Sequence, residues 1–158
     1  MADDQTFDFV IIGSGFGAEV VSTFLHESDR VDIVRSVIFD SPVLDLESVA
    51  KQYAADEGTP WFVSWLGRRL VSIRFGMDWG DLDQQSRAAD FDVPILLLYG
   101  ANDPVTSIAE FEQFADAIPH LVVPERFEQG RHADLWNIDP TRYESSIAEF
   151  LFQTVGPE

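Results

Sequence analysis

An apolar run, Phe9-Val10-Ile11-Ile12, passes directly into a turn with three glycines in five residues, Gly13-Ser14-Gly15-Phe16-Gly17, followed by Ala18. A strand that turns this sharply into a helix has few architectures open to it. Its turn lies at the end of a sheet, with backbone N–H groups of the helix start facing outward. Such a turn has two chemical uses: cradling a phosphate against backbone, or holding up one side chain above the sheet.

The rest of the chain alternates strand-like with helix-like runs, the pattern of a parallel sheet with crossover helices. Phe7 to Ile12 reads as the first strand, and Val20, Val21, Phe24 and Leu25 recur at helical spacing over about Ala18 to Glu27. Val37-Ile38-Phe39-Asp40 reads as a second strand, closed by Ser41-Pro42 because the residue before a proline is pushed out of the helical region. Val93 to Tyr99 is a nearly continuous apolar run ended by Gly100, as in a strand buried on both faces. Leu121 to Phe127 is the fourth strand, and helices are expected at Ile108 to Ala117 and Thr141 to Phe152. Between these elements, about residues 43–92 break the pattern and read as an inserted helical cap. Trp61, Trp65 and Trp79 lie in that segment with Arg68, Arg69 and Arg74, and either line an apolar pocket or form a helix-packing core. The expected fold is α/β with a mostly parallel sheet, a single domain over residues 1–158.

Charge and composition narrow the function. At 158 residues and 46% hydrophobic content the chain is long enough for its own core. Ten Lys and Arg against 28 Asp and Glu leave a net charge of −18, a field that repels phosphate backbones, so no nucleic-acid partner is expected. The sequence has no cysteine, which excludes disulfides and thiolate chemistry and points to a cytoplasmic setting. Met1 to Gln5 lacks the basic start of a leader, and the apolar runs fall far short of the roughly 18 residues of a membrane span. Neither H-E-x-x-H nor EF-hand spacing occurs, so no metal is expected. His26 and His120 read as structural or surface residues.

As G-x-G-x-x-A, the turn would bring its backbone close to a pyrophosphate. Asp8 to Gly17 resembles the opening of flavin-dependent oxidoreductases, including the glucose-methanol-choline type, over about the first 18 residues. The acid that would hold the ribose hydroxyls is then Asp40, which lies 27 residues beyond Gly13 and would require an inserted loop at Asp29 to Arg35.

As G-x-S-x-G, the turn is a nucleophile elbow with Gly15 in the serine position. Two later segments then acquire roles: Tyr99-Gly100-Ala101-Asn102-Asp103 puts an acid just past the buried strand, and Gln129-Gly130-Arg131-His132 puts a histidine past the next. The helix Gly17 to Ser28, the strand Val37 to Pro42, the turn Leu98 to Asp103 and the loop Gly130 to His132 with Trp136-Asn137 resemble, in this order, the second half of an α/β-hydrolase. The resemblance implies an incomplete α/β-hydrolase fold of the esterase or lipase kind, acting on a small carboxylic ester or related acyl substrate without a cofactor. It implies His132 as base and Asp103 as the acid that fixes its tautomer, with the Phe16 N–H as the remaining oxyanion donor. Ser14, the turn's hydroxyl, is the fallback nucleophile, although neighbours on a sharp turn point differently. Gly15 implies weak or absent turnover. Two other readings stay open: a binding or assembly module, as a homo-oligomer or with a complementing chain at an open sheet edge, and a flavin- or nicotinamide-binding fragment. Asp103 alone could also simply start the helix beyond Pro104.

Overall fold

The computed structural model describes residues 9–156. Met1 to Gln5 and the predicted strand start at Phe7-Asp8 lie outside them. Four strands, β1 (Phe9–Ser14), β2 (Val34–Asp40), β3 (Ile95–Gly100) and β4 (Val122–Phe127), form one sheet in the order β1-β2-β3-β4. All three pairings are parallel. The crossovers carry α1 (Gly17–Glu27), α2 (Leu46–Asp56), α3 (Trp61–Phe75) and α4 (Ile108–Ala117), and after β4 come α5 (Leu135–Ile138) and α6 (Pro140–Val155).

Alternation along the strands divides the core between the two faces of the sheet. Val37, Phe39, Ile95, Leu97 and Tyr99 point to one face, where Ala18 and Val21 of α1 and Phe111 and Phe114 of α4 cover them. Ile38, Leu96 and Leu98 point to the other, under Leu135 and Phe150. β3 is buried along its whole length because both layers close on it, which is the origin of its unbroken apolar sequence. Capping fixes the helix starts: Ser107 and Glu110 form a reciprocal capping box on α4, and the Asp139 carboxylate accepts the Arg142 N–H at 3.0 Å on α6.

Element bounds depart from the sequence pattern where pairing outruns hydrophobicity. β1 continues through Gly13 and Ser14, which pair with Phe39 and Asp40. β2 starts at Val34 rather than Val37 because Val34 and Ser36 also pair with β1, and Ser36 is buried against the Thr154 hydroxyl at 3.2 Å. A polar residue hydrogen-bonded across layers breaks the apolar run without breaking the strand.

The segment between β2 and β3 is helical, and its tryptophans lie toward the surface, where Trp61 and Trp65 line a cleft with Ala54, Ala55 and Arg68. Trp61 and Trp65 are 79% and 52% exposed, and no residue of α3 is buried. α3 is tied to α2 by a polar contact, Arg68 Nε to Glu47 at 3.1 Å, with Arg68 also donating to Ser64 at 2.6 Å. Among the described residues no helix is long and apolar enough to cross a membrane.

The same segment returns to α1 through a buried polar contact. Gln84 donates to Glu19 at 2.8 Å, both side chains being enclosed, and Asp45 and Asp83 place two further carboxylates nearby. Burial pushes the Glu19 carboxyl up to about 7, the Gln84 hydrogen bond opposes it, and the two aspartates add to it. Below about pH 4.5 this group is protonated whether the chain is folded or not. Between there and about pH 7 only the native state keeps its proton, so this carboxyl makes stability fall as pH rises, by up to about 3 kcal/mol over the window. Urea unfolding at pH 5 and pH 8 is expected to show Glu19→Gln losing that part of the pH dependence; equal slopes in the two proteins would contradict it.

Candidate active site

Three loops at the carboxyl ends of the strands meet at one point. The loop after β3 is tied to the one after β4 by Ala101 N–H to Phe127 O and Asn102 N–H to Gly130 O, both 2.9 Å, and by the Asn102 amide to Glu128 O at 2.9 Å. The crossing is close: a Cβ on Gly100 would sit 2.5 Å from the Gly130 carbonyl carbon and 2.9 Å from the Arg131 nitrogen. Only a backbone without a side chain allows the two loops this near.

Asp103 and His132 are brought together by that crossing. Asp103 Oδ1 accepts the N–H groups of Val105 and Thr106 at 2.7 and 3.2 Å, while Oδ2 lies 3.0 Å from His132 Nδ1. An ionised carboxylate only accepts, so Nδ1 is the donor and Nε2 carries the lone pair of the neutral ring. The reading of Asp103 as a helix start is corrected: Ser107 caps α4, and Asp103 caps the tight turn before it while holding His132. His26 is half-buried, edge-on to Phe91, and His120 is exposed beside Asp92.

The Asp103 hydrogen bond raises the His132 pKa, partial burial opposes the rise, and the Asp103 and Asp40 charges reinforce it. The pair therefore contributes stability fully below about pH 6.5, the ordinary histidine value, and loses it as pH rises through the elevated native value. Asp103→Asn is expected to lower the His132 pKa in a proton NMR titration of the imidazole; an unmoved titration would mean that the pair does not hold in solution.

His132 Nε2 faces the glycine turn. Gly15 adopts φ +52°, and a Cβ built there would lie 3.2 Å from Nε2. Hydrogen bonds from Gly15 N–H to Asp40 O (3.0 Å) and from Ala18 N–H to Gly15 O (3.2 Å) fix the turn. Ser14 ends β1 exposed, and no hydrogen bond joins it to His132 among the described residues. Phe16 stands before the first turn of α1, where its N–H donates to no described backbone acceptor.

A polar layer that sequence reasoning missed lies nearby. The Asp40 carboxylate accepts from the Ser41 hydroxyl and from Tyr143 of α6, each at 3.0 Å, and burial raises its pKa. Ser41 holds φ +50°, a conformation unfavourable for a residue with a side chain. The acid at the strand end was a visible signal, but Tyr143 comes from 103 residues further along the chain and reads only as one face of an amphipathic helix.

This geometry gives the flavin resemblance no support. Both oxygens of Asp40 are engaged by protein hydroxyls, and His132 stands where a pyrophosphate would have to approach Gly15. Among the described residues the strand order runs in one direction from β1, without the reversal at which dinucleotides bind. Asp29 to Arg35 is not an inserted loop either, since it holds a short 3-10 turn and the start of β2.

Beside His132 opens a cavity of about 670 Å³ lined by Phe16, Leu46, Val49, Ala50, Val105 and His132 among others. Its apolar wall comes from α2, and none of the tryptophans contributes to it.

The all-parallel sheet, its crossovers and the loops at the strand ends define an incomplete α/β-hydrolase fold. Among solved structures, an esterase of Pyrococcus furiosus is similar at a TM-score of 0.64 and 19% identity, covering 94% of this chain and 54% of that one. A Rhodococcus esterase is similar at 0.65 and 15% identity, over 94% of this chain and 66% of that one. A Paleococcus ferrophilus monoacylglycerol lipase is similar at 0.66 and 15% identity, over 96% and 70%. The chain thus spans about half to two thirds of the length of these proteins. No protein-family profile matches the chain, and no curated protein matches it.

Proposed function

We propose that the chain is an acyl-directed protein of this fold, which takes the apolar part of a small carboxylic ester or related acyl compound into the cavity beside His132. His132 serves as base, Asp103 holds its tautomer, and the Phe16 N–H receives the carbonyl oxygen. The helical segment at about residues 43–92 acts as a cap, with α2 as its acyl-facing wall. The observation that carries this reading is the single line from Asp103 through His132 to the empty side-chain position at Gly15. Loss of a triad nucleophile costs on the order of 10⁶-fold in turnover, so any route through a covalent intermediate is weak or nil.

A fluorophosphonate, which labels activated serines, tests the reading when the intact mass is followed. An unmodified chain is the expected result. A covalent adduct mapped to Ser14 would instead make Ser14 the nucleophile and the protein a working serine hydrolase.

The outer edge of β1 favours a second reading, in which another chain or a second copy completes the sheet. Phe9 and Ile12 are 49% and 58% exposed on a strand without charge or proline, whereas β4 carries Pro124, Glu125 and Arg126. Natural sheets guard exposed edges with such residues. Light scattering after size-exclusion chromatography separates a monomer from this alternative.

A further inference from the structure

Gly15 removes a nucleophile, and it also clears the space in front of a base. His132 Nε2 makes no hydrogen bond to a described residue, and its side chain is 23% exposed at the cavity wall. Its Nδ1 proton is committed to Asp103, whose side chain is wholly enclosed and whose other oxygen is held by two backbone N–H groups. Nε2 is therefore a fixed acceptor aimed at an unfilled position. A serine Cβ at position 15 would stand 3.2 Å from it, and beyond the flanking residues only His132 lies within 4 Å of that point, so a small molecule can stand beside Gly15 within hydrogen-bond reach of Nε2.

We propose that this volume takes a water molecule, which His132 activates for direct attack on an acyl group seated in the adjoining cavity. The proposal rests on the acyl-site reading above and goes beyond it by naming the nucleophile and the substrate class. Nε2 takes a proton from water as the water oxygen bonds to the acyl carbon, and the carbonyl π pair moves onto the oxygen beside the Phe16 N–H. The tetrahedral species then re-forms its C=O bond and breaks the bond to the leaving group. That group departs with the electron pair and receives the proton from Nε2. The sum is addition of one water, with no covalent enzyme intermediate and no change in oxidation state.

The substrate class follows from what supports the oxyanion. With the Phe16 N–H as its one identified donor, much of the driving force must come from the leaving group, so activated acyl compounds such as thioesters and aryl esters fit and alkyl esters do not. General-base assistance of this kind contributes about 10²- to 10⁴-fold.

The test is turnover of para-nitrophenyl butyrate by the unmodified protein. Expected are para-nitrophenol release linear from the first turnover, about 100-fold above buffer, and a rate that rises with pH through the His132 titration. The intact mass should stay unchanged during turnover. Added hydroxylamine should raise total release and give butyrohydroxamate, because it competes in the attacking step. His132→Gln should return the rate to near the buffer value. A burst of one equivalent with an acylated chain overturns the proposal, and so does a rate equal to buffer or unaffected by His132→Gln. Calorimetric titration with nonyl methyl ketone separates the two levels. Binding without turnover overturns only the water route; no binding and no turnover overturn the acyl-site reading as well.

Discussion

Gly15→Ser is expected to raise hydrolysis of para-nitrophenyl butyrate by at least about 100-fold over the unmodified chain and to introduce a burst with an acylated Ser at that position. His132, Asp103 and the turn already stand in register: the new Cβ would lie 3.2 Å from His132 Nε2, close enough for the hydroxyl to hydrogen-bond. The gain falls short of the full nucleophile effect of about 10⁶-fold because, in the proposed reading, the Phe16 N–H alone backs the oxyanion. The substitution also has a structural cost. At φ +52° a residue with a Cβ is strained by about 1–2 kcal/mol, and the imidazole must yield by a few tenths of an ångström. Gly15→Ala carries the same strain without the hydroxyl, so it should lose the stability and show no burst. If Gly15→Ser folds, keeps the elevated His132 pKa and still shows no burst, the arrangement around position 15 is not competent for acyl transfer.

Gly100→Ala is expected to damage both the fold and the site. Its methyl would press on the Gly130 carbonyl carbon at 2.5 Å and the Arg131 nitrogen at 2.9 Å, backbone atoms that cannot rotate away. Overpacking of this type costs about 1–3 kcal/mol. The loops after β3 and β4 can relieve it only by separating, which strains the Asn102 N–H to Gly130 O bond and draws Asp103 away from His132. Two readouts should therefore move together: the urea midpoint falls, and the His132 pKa drops back toward that of a free histidine. A variant that loses stability while His132 titrates unchanged would show that the crossing supports the fold without setting the acid–base pair.

Much of the scaffold could be read from local pattern. β3 announces itself because a strand buried on both faces must be apolar throughout, and α4 was legible over Ile108 to Ala117, although its cap is Ser107 with Glu110 and not Asp103. Asp103 and His132 were legible for a related reason: residues just past the ends of parallel strands lie on the side of the sheet where loops converge. Which pocket the tryptophans would line was not legible, because hydrophobic composition says that a residue favours burial and not which surface supplies it. α3 leaves Trp61 and Trp65 in solvent, while the cavity draws its wall from Leu46, Val49 and Ala50 of α2.

Local pattern was enough for the succession of strands and helices, for Asp103 and His132 on loops past adjacent strands, and for the absence of a hydroxyl at position 15. Those properties rest on short-range rules of periodicity, capping and turn chemistry. The later motifs already outweighed the phosphate reading of the glycine turn, and long-range packing takes further support from it. What stands opposite Gly15 is His132 Nε2, on a loop more than 100 residues away, where a phosphate would have to approach. The pairing of Asp40 with Tyr143 was settled in the same way, by packing α6 against the sheet. Contacts between distant segments follow from how layers stack, and local sequence carries no record of them.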